Sequence, residues 1–209
     1  MKELWLIRHG ETDWNVQKRF QGHLDVPLSP RGIGQAFRLA ERLARSRLSF
    51  DGLYASDLRR ARETAEPLAQ VLNLPLTTSP LLREIHVGAL AGLTRKEAEA
   101  QFPSFFREAS ADPWGTRRPG GESMAELAER FLTFVEDLPP GRHLLVTHGG
   151  VIRAALKLAL DLPGETWRRF HIQNTSITRL LHPEGEVITV GDAAHLETWA
   201  DWLSDESLQ

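Results

Sequence analysis

The sequence predicts a three-layer α/β sandwich, with a mostly parallel central sheet flanked by helices. Two observations carry that expectation. Short apolar runs that end in polar turns alternate with amphipathic segments of helical period. No internal repeat or low-complexity linker interrupts this alternation, so the 209 residues read as one domain, 1–209.

The elements follow in chain order. Leu4 to Ile7 is an apolar run closed by a charged, glycine-containing turn, the pattern of a buried parallel strand. Ser29 is a good helix cap and Pro30 fits a first turn. From Ile33 to Leu48, Ala36, Leu39, Ala40 and Leu43 share one helical face. Phe50 to Ala55 is a second strand. Ser56 is expected to cap the next helix, with Asp57 beside its N-terminal dipole. Pro67, in the middle of that helical pattern, predicts a kink or an early stop. Leu81 to Leu93 has no clear period. Phe102 to Gly121 mixes Phe102, Phe105, Phe106 and Trp114 with prolines and glycines, and reads as a loop with some helix. Residues 94–121 are expected to form a cap, with these aromatics in its pocket wall or in the core beneath it. Glu122 to Leu138 is amphipathic, and His143 to Val146 is a third strand. Gly149-Gly150 turns the chain into a helix over Val151 to Leu160. Ile177 to Leu181 and Val187 to Val190 flank Pro183-Glu184-Gly185 and predict a hairpin. Ala194 to Leu203 spaces Leu196, Trp199 and Leu203 along one helical face.

Composition excludes several classes. Lys plus Arg is 25 and Asp plus Glu is 28, a net charge of −3. With a pI of about 6.2, this argues against a general nucleic-acid binder. Cysteine is absent, which removes disulfides, thiolate nucleophiles and Cys-ligated zinc, and fits a reducing compartment. No run approaches the ~20 apolar residues of a membrane helix, and Leu4 to Ile7 is too short for a signal-peptide core. A cytoplasmic protein with no nucleic-acid or membrane partner is expected. The patterns carry no signal of oligomeric state.

The chemistry gathers where strands end. In open parallel sheets, ligands bind beyond the carboxyl ends of strands. The first strand runs into Arg8-His9-Gly10-Glu11-Thr12, the second into Ser56-Asp57-Leu58-Arg59-Arg60-Ala61, and the third into Thr147-His148-Gly149-Gly150. If the three strands are neighbours, two histidines and at least two arginines share one pocket. Such a cationic pocket in a weakly acidic protein suits a small anion, most simply a phosphate, which the planar guanidinium fork matches. Helix N-termini after Ser56 and at Gly149 would add backbone N–H groups. Taken singly, each residue has a plainer reading. Arg59, Arg60 and Arg62 fit a solvated helix face, and Glu84 fits a surface ion pair with Arg83. The coincidence of the three strand ends favours the pocket. A metal centre built from His9, His148 and Glu84 is disfavoured, because the arginines would repel a cation and no H-x-x-x-H pair is present.

Taken together, these motifs resemble those of the histidine phosphatase superfamily, the phosphoglycerate mutase-like proteins. Arg8-His9-Gly10-Glu11-Thr12 is similar to its signature. Trp14-Asn15, Arg19-Phe20-Gln21-Gly22 and Leu28-Ser29-Pro30-Arg31-Gly32 follow in the family's order. Ser56 to Ala65 resembles its second motif, Leu82-Arg83-Glu84-Ile85-His86-Val87-Gly88 its acid/base segment, and Thr147-His148-Gly149-Gly150 its second-histidine motif. The resemblance spans Leu4 to Leu181 and implies a phosphoglycerate mutase-like fold. It implies that His9 is the nucleophile, that Arg8, Arg60 and His148 hold the phosphoryl oxygens, and that Asn15 is a further contact. It implies that Glu84 donates and accepts the proton, and that Gln21 and Gly22 border the substrate. Gly149 would offer its N–H at a helix start. No cofactor and no metal are implied, and the partner is a small phosphorylated metabolite.

These residue types suit the chemistry. A neutral imidazole attacks a phosphate ester without adding negative charge, and nearby arginines disfavour its protonation. They also stabilise the equatorial oxygens in the transition state, each donor being worth ~3 kcal/mol at the barrier. A proton donor such as Glu84 needs burial or a nearby dianion to keep its proton among those cations. Phosphatase and mutase share the phosphohistidine and differ in whether water or another hydroxyl receives the phosphoryl group. The short segment from Leu93 to Gly121, the run Pro119-Gly120-Gly121-Glu122-Ser123 and Asn174-Thr175-Ser176-Ile177-Thr178 resemble the phosphatase branches. Phosphoglycerate mutase is the alternative. Arg117 and Arg118 are read as solvated rather than as carboxylate contacts.

Overall fold

The structure is a computed structural model and describes residues 1–197. It contains β1 (Lys2–Arg8), α1 (Asp13–Val16), α2 (Pro30–Ser46), β2 (Gly52–Ser56), α3 (Arg59–Leu72), β3 (Leu76–Ser79), α4 (Arg95–Gln101) and α5 (Pro103–Ala111). Then come α6 (Met124–Glu136), β4 (Gly141–Thr147), α7 (Gly149–Ala159), β5 (Ile177–His182) and β6 (Val187–Asp192). One sheet runs in the order β3-β2-β4-β1-β5-β6. β3, β2, β4 and β1 are parallel, and the β5–β6 hairpin joins β1 antiparallel. The expected sandwich with a mostly parallel sheet is therefore the observed one.

Side chains alternate across the buried strands, as a period of two requires. Leu4 and Leu6 of β1 pack with α6 and α7 on one face, together with Leu145 of β4. Trp5 and Ile7 pack with α2 and α3 on the other, together with Leu144 and Val146. Ser29 caps α2 by accepting from Gly32 N, with Pro30 in the first turn, and Ala36, Leu39, Ala40 and Leu43 are buried as expected. Ser123 and Glu126 cap α6 reciprocally.

Two local expectations are corrected, and one strand is added. Ser56 does not cap α3: it ends β2, and the cap residue is Leu58, which offers no side-chain acceptor. Asp25, distant in sequence, accepts from Arg59 N at 2.6 Å instead. Pro67 does not stop α3, which continues to Leu72. Interior proline costs ~3 kcal/mol, but Ala61, Ala65 and Leu68 are buried on both sides of it and hold the turn. β3 was not foreseen, because Leu-Thr-Thr-Ser is short, polar and at the sheet edge. Residues 102–121, expected as a loop or cap with some helix, contain the helix α5. Of the expected C-terminal helix, only the turn Ala194–Leu196 is described; Trp199, Trp202 and Leu203 lie outside the described residues. Among the described residues no helix is long and apolar enough to cross a membrane.

Two glycines of α2 make opposite predictions. A methyl on Gly32 would run into the backbone oxygen of Glu11, in the loop after β1, whereas nothing lies within 4 Å of one on Gly34. Gly34→Ala should stabilise by ~1 kcal/mol through helix propensity. Gly32→Ala should instead destabilise by ~2 kcal/mol, because overpacking against backbone outweighs that gain. Denaturant midpoints of the two variants check the sign of each.

Candidate active site

β4 lies between β1 and β2, so the three polar strand ends stand side by side. The register pairs Arg8 with Thr147, and His9 N donates to Thr147 O at 2.9 Å, extending the ladder one step past β1. This places the His9 and His148 rings with centroids 5.1 Å apart and planes 57° to each other. The loop is tied down on every side. Gly10 N donates to Thr64 Oγ1, whose hydroxyl in turn donates to Arg60 O. Asn174 Nδ2 donates to His9 O at 2.9 Å.

His9 Nδ1 lies 2.7 Å from Gly10 O. A carbonyl only accepts, so Nδ1 carries the proton and the lone pair sits on Nε2. Burial, then the charges of Arg60 and Arg8, hold this imidazole well below its usual titration range, against a smaller opposing push from Gly10 O. Burial lowers His148 in the same way, followed by Arg60. Both rings are therefore neutral at neutral pH.

Arg60 is fully buried. Its Nη1 and Nη2 donate to Leu24 O and Gly22 O at 2.9 and 2.8 Å, which fixes the guanidinium plane. Arg8 donates to Ile172 O at 2.6 Å. Desolvation brings both guanidiniums down to about 10, so they remain charged at neutral pH. Arg8 Nε, Arg60 Nε and both nitrogens of His148 are buried without a hydrogen-bond partner. Buried polar groups are nearly always paired, and four orphaned nitrogens around one imidazole mark a place for an anion. At the start of α7, His148 supplies no side-chain cap, which leaves the helix dipole aimed the same way.

Glu84 does not pair with Arg83, which forms a two-point ion pair with Asp57. Its carboxylate instead accepts from Ile85 N at 2.9 Å and Gly150 N at 3.1 Å. Any side chain on Gly150 would strike Glu84 Oε1. His23 and Arg130 hold the backbone oxygen of Glu84. Glu84 and Gly150 form the inner wall of a cavity of about 460 Å³ that opens past α5. His9, Arg8, Arg60 and His148 do not line it; the buried cluster meets the cavity at Glu84.

The remaining predicted residues are placed unevenly. Asn15 completes the α1 capping box: its Oδ1 accepts from Thr12 N and stands 3.4 Å from Asn174 Nδ2. Gln21 is buried with Oε1 unpartnered. Gly22, at φ +51°, packs against Val87 and orients Arg60 through its carbonyl. A Cβ on Gly149 would sit 3.2 Å from Arg153 Nη1, a tight contact, and 3.7 Å from Arg8 Nε, an ordinary one. Arg59 pairs with Glu63 in solvent, as the helix-face reading expects, while Arg60 does not. Phe105 and Phe106 line the cavity, and Trp114 packs on Trp167. Arg117 pairs with Glu126, but Arg118 is half-buried in the cavity wall and not solvated as expected. Arg153, also in that wall, was missed; its signal is a position one helical turn beyond Gly149. Among the described residues no group of three or more His, Cys, Asp or Glu is gathered to hold a metal ion.

A model of the histidine phosphatase superfamily (branch 1) matches residues 4–191. The chain is 37% identical over 208 residues to a Salmonella choleraesuis protein named probable phosphoglycerate mutase GpmB, covering 94% of this chain and 96% of that one. A solved structure of mycobacterial glucosyl-3-phosphoglycerate phosphatase in complex with VO3 is similar at a TM-score of 0.75 and 36% identity, over 87% and 93% of the two chains. The same mycobacterial phosphatase in complex with inorganic phosphate gives 0.78 and 32%, over 94% and 100%.

The two depressed histidines of the site, with His23, His182 and His195, which are also lowered, chiefly by burial, imply a pH dependence of stability. Unfolded, each titrates near 6.5. Between that value and its lower folded one, the unfolded chain binds more protons, so stability rises with pH. The unfolding free energy should therefore fall as pH drops below ~6.5, by up to ~1.4 kcal/mol per pH unit for each ring. Denaturant melts between pH 7.5 and 5.5 measure this, and His148→Asn should flatten the slope by one ring's share.

Proposed function

The chain belongs to the histidine phosphatase superfamily, and on that premise we propose that it hydrolyses small phosphate monoesters through a phosphohistidine at His9. The observation that carries this reading is the ring of unpartnered buried donors around a neutral imidazole whose Nε2 is free. Nε2 attacks phosphorus in line with the ester oxygen. A P–N bond forms, the P–O ester bond breaks, and its electron pair leaves on the alcohol oxygen, which takes the proton of Glu84. Water then attacks phosphorus and gives a proton to Glu84. The P–N bond breaks, releasing phosphate and restoring the neutral imidazole. Arg8, Arg60 and His148 donate to the phosphoryl oxygens throughout, with Asn15 reaching them through Nδ2 and Gly149 through its N–H. The 94–121 segment, with α4 and α5, acts as the cap that encloses the rest of the substrate.

The similarity to a phosphatase bound to VO3 and to inorganic phosphate supports hydrolysis. A second reading, transfer between hydroxyls of phosphoglycerate, is supported by the name of the Salmonella relatives. Release of phosphate from a panel of phosphorylated metabolites, beside an isomerisation assay with bisphosphoglycerate present, separates the two.

His9→Ala should lower kcat by ~10⁴-fold or more, the scale seen when a nucleophile is removed. Turnover close to that of the unaltered chain would overturn the assignment. Vanadate should inhibit at micromolar concentration, because a five-coordinate oxyanion resembles the transferring phosphoryl group. Steady-state inhibition at fixed substrate measures it, and His9→Ala should abolish that tight binding.

A further inference from the structure

Thr175 stands in an unusual backbone conformation. It lies in the left-handed region, at φ +58°, and is fully buried. A β-branched residue is disfavoured there, and such outliers persist only where the surroundings over-determine them. Two contacts hold this one. Its N–H donates to Arg8 O at 2.9 Å, which ties the residue to the end of β1. Its Oγ1 stands 3.0 Å from His195 Nε2 and donates to Asn174 O at 2.8 Å. Asn174, the residue before it, is the one whose amide holds His9 O.

The side-chain bonds run in one direction. His195 lies in the turn Ala194–Leu196 that follows β6. Its Nδ1 is 3.4 Å from Nη1 of Arg42, a residue of α2. A guanidinium only donates, so Nδ1 accepts and the ring proton sits on Nε2. Nε2 therefore donates to Thr175 Oγ1, whose own proton is left for Asn174 O. Burial, then the charge of Arg42, brings His195 down to about 4, so at neutral pH the ring is neutral and keeps both roles. Arg42 is itself fixed by a two-point pair with Asp192, the last residue of β6. The path from Arg42 through His195 and Thr175 to Asn174 thus joins α2 and the chain after β6 to the carbonyl of His9. Neither His195 nor Thr175 lines the cavity beyond Glu84.

We propose that His195 is a positioning residue for the reaction at His9: the turn after β6 is a latch that holds Thr175 in its strained conformation and so aims the Asn174 amide at His9 O. This rests on the reading of His9 as the nucleophile. Without the latch, Thr175 relaxes out of the left-handed region and Asn174 turns with it. His9 then loses the amide that fixes its carbonyl, and Nε2 departs from the in-line approach. His195 touches neither the substrate nor the reacting atoms; it acts through Thr175 and Asn174.

The test uses 4-nitrophenyl phosphate and three variants of the full chain. His195→Phe keeps a ring and loses the donor. His195→Gln restores an N–H near the position of Nε2. Thr175→Ala removes the acceptor. His195→Phe and Thr175→Ala should each lower kcat at least ~10-fold with KM changed less than ~2-fold, because a misplaced nucleophile raises the barrier without weakening binding. His195→Gln should keep kcat within ~3-fold of the unaltered chain. The double variant His195→Phe/Thr175→Ala should be no slower than the slower single one, since both break the same bond. Amide hydrogen exchange reads the latch without turnover: protection of the Thr175 N–H should fall ~10-fold in His195→Phe and be kept in His195→Gln. A kcat for His195→Phe within ~2-fold of the unaltered chain would overturn the proposal. So would His195→Gln as slow as His195→Phe, which would make ring packing rather than the hydrogen bond the cause. If His195→Phe melts at a much lower temperature, Thr175→Ala gives the same reading from the other end of the bond. An unaltered chain that hydrolyses no ester refutes the nucleophile instead, and the exchange data then still decide whether His195 holds Thr175.

Discussion

The site depends on the parallel pairing of β1 with β4. Neither strand carries the chemistry alone. The register that sets Arg8 opposite Thr147 also extends one residue further, through His9 N to Thr147 O, and brings two histidines from distant parts of the chain to one side of the sheet. A slip of one residue would turn His9 to the other face and bury Leu4 and Leu6 against α2 and α3 rather than α6 and α7. The hydrophobic alternation of β1 is thus the constraint that aims the imidazole. Because both faces of the sheet are covered, a slip in either direction strands apolar surface, and the register is strongly specified.

Around that pair the protein holds an electrostatic arrangement that folding alone would not favour. Arg60 is buried with no carboxylate in ion-pair contact among the described residues and is stabilised by two backbone carbonyls, while Arg8 has one. Carbonyl dipoles cancel less of a guanidinium's charge than a carboxylate would. The net field therefore remains available, and it adds to burial, the larger cause, in keeping His9 and His148 neutral. A salt bridge at the same place would satisfy the cation and quench that field. Loops supply the carbonyls at Gly22, Leu24 and Ile172, so their shape matters as much as the identity of the arginines.

Much of this was legible in the sequence, for reasons that vary by element. α2, α6 and α7 announce themselves because their apolar periods are long, and α2 also because its cap, Ser29, lies within one turn of the N–H it caps; β1 does so because its apolar run closes on a charged turn. β3 was not legible, since four residues at a polar edge carry almost no period. The cap of α3 was misread because its acceptor, Asp25, is contributed by tertiary structure from a separate loop. Pro67 was misread because burial on both sides of it outweighs local propensity. In the site, the reactive residues sit at strand ends, and strand ends can be read. The partners that set their state cannot. The proton on His9 is placed by Gly10 O, and Arg60 is oriented by Gly22 O and Leu24 O. Backbone carbonyls carry no residue signature.

The glycine pair after His148 shows how closely the parts are coupled. Either glycine alone would suffice to start a helix close to a strand end. They have different reasons. Gly149 lies where a side chain would crowd Arg153, and Gly150 lies where one would strike the carboxylate of Glu84. The same helix start therefore clears space for the cations on one side and, through Gly150 N, holds the acid on the other. Glu84 is joined at this point to the backbone that also carries His148. In the proposed roles, the acid and the phosphoryl-holding histidine are therefore tied to the same helix start. The proposed reaction requires the groups of proton transfer and phosphoryl transfer to be aligned at the same moment, and a shared helix terminus favours that alignment.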